Sequence, residues 1–288
     1  MTITEINNIK FAIPVKGRLR EPAVDLLKRA GYKFRAKGRN LYATCTTADI
    51  TFIFVRADDI PVLVDSGVVD LGITGSDLIA ERRADVANLM ELGFGKCRLC
   101  VAVPDSVSDE KLSYFNGKTI ATSFPHMTED YFKAQGVDIR CVEMNGSVEI
   151  MVDLSLADAI VDIVETGDSL RDNNLKVYSD IGTYETCLIA NHALAGNEAV
   201  NQIMRRIEGI LIASKYSLLE YNISEEKLPQ AEEITPGFES PTVSRLDQDK
   251  WVAVKVMVLK KDVVQVMDRL EALGATAIIE TETRNCRL

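Results

Sequence analysis

The chain has 288 residues, 47% hydrophobic and 26% charged, with 33 basic and 43 acidic side chains and a net charge of −10. That length suits two to three domains, and the composition is ordinary for a soluble globular protein. The acids are dispersed and the cations unclustered, which disfavours nucleic acid as a partner. With no apolar run of about 18 residues and no leader-like opening, no membrane partner is expected and the location reads as cytoplasmic.

Residues 9–13 read as an apolar strand ending at Pro14-Val15-Lys16-Gly17-Arg18-Leu19. Residues 21–30 carry apolar side chains at helical spacing with Pro22 in the first turn, and Gly31 stops the helix. Lys16 and Arg18 therefore fall at the carboxyl end of a strand beside a helix start, the edge where open α/β sheets bind ligands. Residues 40–45 and 50–55 read as a hairpin. Arg56 again follows a strand, as a weaker substrate-contact candidate, and Asp58 or Asp59 is placed to cap the next helix. After a segment at 68–78 and a helix from Leu78, strands return at 86–92 and 96–104, and the chain crosses into a second lobe around Pro104. There residues 118–121 form a strand, 122–127 a loop, 128–135 a helix capped by Thr128, 138–143 a strand and 145–147 a turn.

Residues 157–164 alternate small or acidic side chains with Ile and Val, as a buried strand does. The run breaks into Glu165-Thr166-Gly167-Asp168-Ser169, and Leu170 can open a helix. Strand, hydroxyl-glycine loop and helix start present free backbone N–H groups to a phosphate; the same residues also make an ordinary β-to-α turn. The stretch has an echo. Residues 68–78 align with 160–170, so that Thr74, Gly75, Ser76 and Asp77 match Thr166, Gly167, Asp168 and Ser169. An internal repeat this far apart predicts two lobes of similar build with both Thr-Gly loops facing a cleft.

Cysteines stand at 45, 97, 100, 141, 187 and 286. The one close pair, Cys97 and Cys100, lies on a strand, where residues three apart face opposite ways. Scattered reduced thiols fit better than a zinc site, which needs four ligands.

Strands at 176–178 and 186–190 return the chain to the first lobe, followed by an amphipathic helix at 200–219 and a linker at 218–224. The remainder reads as a helix at 224–234, a loop at 235–241, strands at 242–246 and 251–259, a helix at 262–273 ended by Gly274, and a strand at 276–282. That is a small α+β module of ferredoxin-like order. The expected division is lobe I at 1–104, completed by 186–219, lobe II at 105–185 and a C-terminal domain at 223–288.

Glu149, Ala157, Ile160, Asp162, Thr166, Gly167 and Leu170 fit the phosphoribosyl-diphosphate signature of the ATP phosphoribosyltransferases, the first enzymes of histidine biosynthesis, which this stretch resembles. Ser155 stands where that family usually has Gly; Ser169, where it has Thr, keeps the hydroxyl. Pro14-Val15-Lys16-Gly17-Arg18-Leu19, Thr122-Ser123-Phe124-Pro125-His126, Asn145-Gly146-Ser147-Val148-Glu149 and Pro236-Gly237-Phe238-Glu239-Ser240-Pro241-Thr242 resemble further segments of the family's long form, in the same order. The resemblance covers essentially the whole chain. It implies an α/β fold with a two-lobed catalytic part like the type II periplasmic binding proteins, plus an ACT-like regulatory domain. It also implies transfer of phosphoribosyl from 5-phosphoribosyl 1-diphosphate to N1 of ATP, with Mg2+ held mainly by substrate oxygens.

On that reading residues 166–169 and Leu170 hold the 5′-phosphate, and Asp162, Glu149 and Glu165 lie near the ribose. Lys16, Arg18 and Arg56 neutralise phosphates, while residues 74–77 close the other wall. His126 either touches substrate or bonds a carbonyl in its loop. Histidine, the pathway end product, is expected to inhibit by binding between subunits of a homo-oligomer, a dimer or hexamer, against Phe238, Ser240, Thr242, Met257 and Ala277. From the residues alone, Ser240 and Thr242 read equally as turn residues and Met257 as core. A neutral ring nitrogen needs no strong general base, which suits a chain without a Ser-His-Asp or Cys-His arrangement. The rival readings are a non-catalytic two-lobed binding or effector module and a phosphoribosyltransferase acting on another base.

Overall fold

Five of the six residues of β1 (Ile9–Pro14) are buried, as in a strand covered on both faces. In the computed structural model, which describes residues 8–35, 41–108 and 111–287, β1 is followed by α1 (Arg20–Arg29), β2 (Tyr42–Thr44), β3 (Ile50–Val55), α2 (Ile60–Asp65), β4 (Leu71–Gly75), α3 (Ser76–Arg82) and β5 (Ala87–Glu91). Next come β6 (Cys97–Pro104), β7 (Thr119–Thr122), α4 (Pro125–Ala134), β8 (Arg140–Glu143), α5 (Ile150–Asp153), β9 (Ala159–Val164), α6 (Asp168–Asp172), β10 (Leu175–Tyr184) and β11 (Thr186–Ala190). The last stretch holds α7 (Glu198–Lys215), β12 (Tyr216–Ser224), α8 (Leu228–Ile234), β13 (Thr242–Arg245), β14 (Trp251–Leu259), α9 (Val263–Leu273) and β15 (Thr276–Glu282). Asn40, expected to begin the first hairpin, lies outside the described residues.

The first compact unit spans Met1–Asp25 and Tyr32–Val200 and holds two mixed sheets, ordered β2-β3-β1-β4-β11-β5 and β10-β6-β9-β7-β8. The two sheets follow one plan. β4 lies between parallel β1 and antiparallel β11, and β9 between parallel β7 and antiparallel β6. The aligned repeats thus occupy equivalent positions. The strand at 97–104, expected to close the first lobe, belongs to the second sheet, so the chain crosses ahead of Pro104. Its partners are Ile160–Val164 and the whole of β10, all distant in sequence. Residues 176–178 belong to β10 and stay in the second sheet; β11 alone returns.

Two expected caps differ. Asp59 precedes α2 but makes no side-chain cap, and Asp58, the other candidate, is engaged by Arg56 at 3.0 Å and Arg82 at 3.3 Å. Thr128 lies within α4, its hydroxyl donating to the Phe124 carbonyl at 2.7 Å. The helix starts earlier because Pro125, lacking an N–H and pre-set in φ, suits a first helical position.

The second unit, Leu26–Gly31 and Asn201–Leu288, contains a sheet ordered β13-β14-β12-β15, the ferredoxin-like order in a β-α-β-β-α-β chain. The expected linker at 218–224 is strand β12, at the sheet's interior, and the expected helix stops at Lys215. Alternate residues Leu219, Tyr221 and Ile223 of β12 are buried, the period of a one-face-buried strand. Its domain therefore begins ahead of residue 223. Tyr221 Oη meets Thr235 Oγ1 at 2.7 Å inside this core. No helix among the described residues is long and apolar enough to cross a membrane.

Tyr221→Phe is expected to cost about 1 kcal/mol through that lost buried hydrogen bond, measured as a shift of the urea unfolding midpoint at constant slope.

Candidate active site

After β1 the backbone turns at Gly17, whose φ of +85° belongs to the left-handed region that side chains resist. The turn sends Arg18 towards the second sheet. Its guanidinium donates to Glu165 and, at 3.1 Å, to Cys97 Sγ, and lies 3.7 Å from Asp77. Arg18 thus joins the carboxyl end of β1 to the loop after β9.

That loop borders a cavity of about 320 Å³ lined by Arg18, Glu149, Asp162, Ile163, Val164 and residues 165–170. Gly167, φ +82°, forms the N-cap of α6. At five residues α6 is too short for a substantial macrodipole, so the loop's own amides and hydroxyls are the available donors. Among the described residues no acceptor lies against the amides of Gly167 and Ser169. The Ser169 hydroxyl donates to Glu149 at 2.7 Å. Thr166 Oγ1 donates to Asp168, which Arg171 also engages, and these contacts hold the Asp168 carboxyl below its usual range, the Thr166 hydroxyl contributing most.

Asp162 sits half-buried on β9, on the face that packs with Ile160, Val164 and Leu170. Burial pushes its carboxyl up to about 6, with nearby Glu149 adding to the rise and the Ile163 amide, at 2.8 Å, and Arg18 opposing it. Asp77, 2% exposed, is likewise raised by burial, against the Leu78 amide and Arg18.

The residues expected from sequence divide. Arg18, Glu149, Asp162, Glu165, Thr166, Gly167, Asp168, Ser169 and Leu170 line one cavity. Residues 74–77 do not. The Thr74 hydroxyl is buried against the Ala57 carbonyl at 2.8 Å. Gly75 continues strand β4, and the position a Cβ would take lies 2.0 Å from the Asp77 carboxylate. Ser76 exchanges hydrogen bonds with the Glu185 backbone. Of this copy, Asp77 alone reaches the cavity residues, through Arg18. Lys16 is exposed, and Arg56 pairs with Asp58; neither lines the cavity. His126 Nδ1 lies 2.9 Å from the Glu81 carbonyl. Cys97, which touches Arg18, was missed because a strand thiol carries no such signal in sequence.

In the second unit, Phe238, Ser240, Thr242 and Met257 line a separate cavity of about 740 Å³ with Leu218, Lys255 and Arg287. Ala277 lies on edge strand β15, at the opposite side of the sheet from β13, and is not among the lining residues.

Residues 56–209 match the family model described as ATP phosphoribosyltransferase, and residues 213–285 match its C-terminal domain model. The chain is 47% identical to the ATP phosphoribosyltransferase of Rhodopirellula baltica over 280 residues, 97% of this chain and 94% of that protein. It is 41% identical to that of Methanopyrus kandleri, covering 94% and 96%. Among solved structures, the ATP phosphoribosyl transferase (HisG:HisZ) complex from Thermotoga maritima contains a chain that matches with a TM-score of 0.64 and 29% identity, covering 72% of this chain and 98% of that one.

The elevated Asp162 carboxyl keeps its proton to about pH 6, whereas an unfolded aspartate loses it near 3.8. The folded state binds the extra proton between those values, so its stability falls as pH rises through that window and stays lowered above it. Asp162→Asn is expected to remove that slope and to raise stability at pH 8 by about 2 kcal/mol, measured by urea unfolding at pH 4 and pH 8.

Proposed function

The chain belongs to the ATP phosphoribosyltransferase family, pentosyltransferases of histidine biosynthesis, and from that premise we propose that it transfers phosphoribosyl from 5-phosphoribosyl 1-diphosphate to N1 of ATP. The bond from ribose C1′ to the diphosphate oxygen breaks, the bond from C1′ to N1 forms, and 1-(5-phosphoribosyl)-ATP and diphosphate leave. The observation that carries this reading is the cavity where a hydroxyl-glycine loop with free amides meets Arg18 and two further carboxylates.

The amides of Gly167 and Ser169 and the hydroxyls of Thr166 and Ser169 hold the 5′-phosphate as preorganised dipoles. Glu149 and Asp162 face the ribose hydroxyls and the positive charge that develops on the ring as the C1′ bond loosens. Arg18 leaves Glu165 for a substrate phosphate. Among the described residues no three His, Cys, Asp or Glu side chains gather closely enough to hold a metal alone. The oxygen donors Glu149 and Asp162 fit a Mg2+ whose other ligands are substrate phosphates and water. Bound there, it would neutralise the departing diphosphate. The side chains position two polyanions and remove no proton from N1.

The cavity beside Phe238 suits histidine as an inhibitor, with Glu239 nearby for the ammonium and Arg287 for the carboxylate. Ala277 would come to it from a neighbouring subunit, which favours a homo-oligomer.

Gly167→Asp is expected to abolish diphosphate release from ATP, 5-phosphoribosyl 1-diphosphate and Mg2+ while circular dichroism stays unchanged; wild-type turnover in this variant refutes the loop's role. Activity should also fall as pH drops through about 6, where Asp162 takes up its proton, in a profile of kcat/KM against pH. Met257→Glu, which fills the second cavity, is expected to raise the histidine concentration for half-inhibition at least ~10-fold; an unaltered inhibition curve removes histidine from that cavity.

A further inference from the structure

Helix α3 buries two side chains along its length, and both are acids: Asp77, 2% exposed, and Glu81, 6% exposed. Four residues apart, they lie on one face of the helix. Burying a carboxylate is unfavourable unless hydrogen bonds replace its water, and an apolar pair would hold a helix down more readily. Each acid here is instead directed at a particular element. Asp77 lies 3.7 Å from Arg18, in the first lobe. Glu81 reaches into the second: its two carboxylate oxygens accept the backbone amides of His126 and Met127, each at 3.0 Å, and His126 Nδ1 lies 3.1 Å from Oε1.

Those two amides open α4, ten residues long, where a negative charge is favoured and otherwise unsatisfied N–H groups require an acceptor. A helix of the second lobe is therefore capped by a side chain of the first. α4 follows β7, and β7 runs parallel beside β9, in register from Ile120 opposite Ala159 to Thr122 opposite Val161. β9 leads directly into residues 165–170. One short helix thus touches Arg18 at its first turn and secures the sheet edge carrying the phosphate loop at its last. Next along the chain, Arg83 binds Asp130 of α4 at 2.9 Å.

We propose that Glu81 is a positioning residue for the transfer reaction, setting the distance between Arg18 and the loop at 165–170 by capping α4 from the opposite lobe. The inference rests on the transferase reading above. Glu81 touches no substrate; it acts through α4. Misplacement by about an ångström at a site that aligns two substrates costs on the order of 100-fold in rate.

The test uses the full-length chain and the variants Glu81→Leu and Glu81→Gln. Glu81→Leu is expected to lower kcat about 100-fold. Affinity for ribose 5-phosphate, which needs the second-lobe loop alone, should stay within about threefold by calorimetry, because that loop is intact. Glu81→Gln keeps an acceptor oxygen for one amide and should fall between Leu and wild type. An equal loss of ribose 5-phosphate affinity and kcat marks general damage and overturns the proposal, as does a folded Glu81→Leu with wild-type kcat. Should Glu81→Leu fail to fold, Glu81→Gln decides, and a kcat within twofold of wild type overturns it. If the wild-type chain releases no diphosphate, the transferase reading fails; amide hydrogen exchange at His126 and Met127 then tests the clamp, and exchange as slow in Glu81→Gln as in wild type overturns it.

Discussion

Four carboxylates and one guanidinium line the cavity, in a chain already carrying ten excess negative charges. At 4 Å and an effective dielectric of 20, each unpaired acid would repel a phosphate by about 4 kcal/mol, as much as one arginine attracts it. Charge alone therefore cannot hold an anion there. The acids are occupied instead. Glu165 accepts from Arg18, Glu149 from Ser169, and Asp168 from Thr166 and Arg171. Asp162 accepts the Ile163 amide at 2.8 Å and ionises above about pH 6. What remains for a phosphate is the uncharged polar surface of the loop, and the left-handed turn at Gly167 is what exposes it.

The two repeats are one β-α unit put to different uses. Both lie between a parallel and an antiparallel neighbour, yet β4 continues through Gly75 because β11 pairs as far as Thr186 opposite Gly75. β9 stops at Val164, where its pairing with β6 ends at Arg98. Three residues' difference in pairing buries one Thr-Gly and frees the other. The buried copy becomes scaffold, carrying Asp77 beneath Arg18 and Glu81 beneath α4.

Most of the secondary structure was legible because apolar periodicity marks it, including every element of the C-terminal module from residue 224 onward. The exceptions share a cause. Residues 97–104 form a strand in either lobe, and membership depends on partners some sixty to ninety residues away. Residues 216–224 alternate as a strand should, but the helix before them extends its own period into the first turns. Arg18 and the 165–170 loop were readable because local motif and strand-end position agree, whereas Glu149, before α5, and Asp162, within β9, were reached only through the family resemblance. Thr74, Lys16 and Arg56 also occupy strand ends; what separates them is side-chain packing, such as the Ala57 carbonyl that takes the Thr74 hydroxyl. Glu81 carried no signal beyond its spacing from Asp77, since the amides it caps belong to another lobe.

The position of β11 constrains how the protein emerges from the ribosome. β5 joins the first sheet solely through β11, and β11 is made only after the whole second sheet. A nascent chain ending near residue 185 thus has a finished inserted lobe and an unfinished host, with the edge of β4 open and β5 unattached. Open edges of apolar strands invite pairing between chains. Between synthesis of residue 91 and residue 190 the β4 edge and β5 thus wait for their shared partner, and slow codons there would prolong the wait.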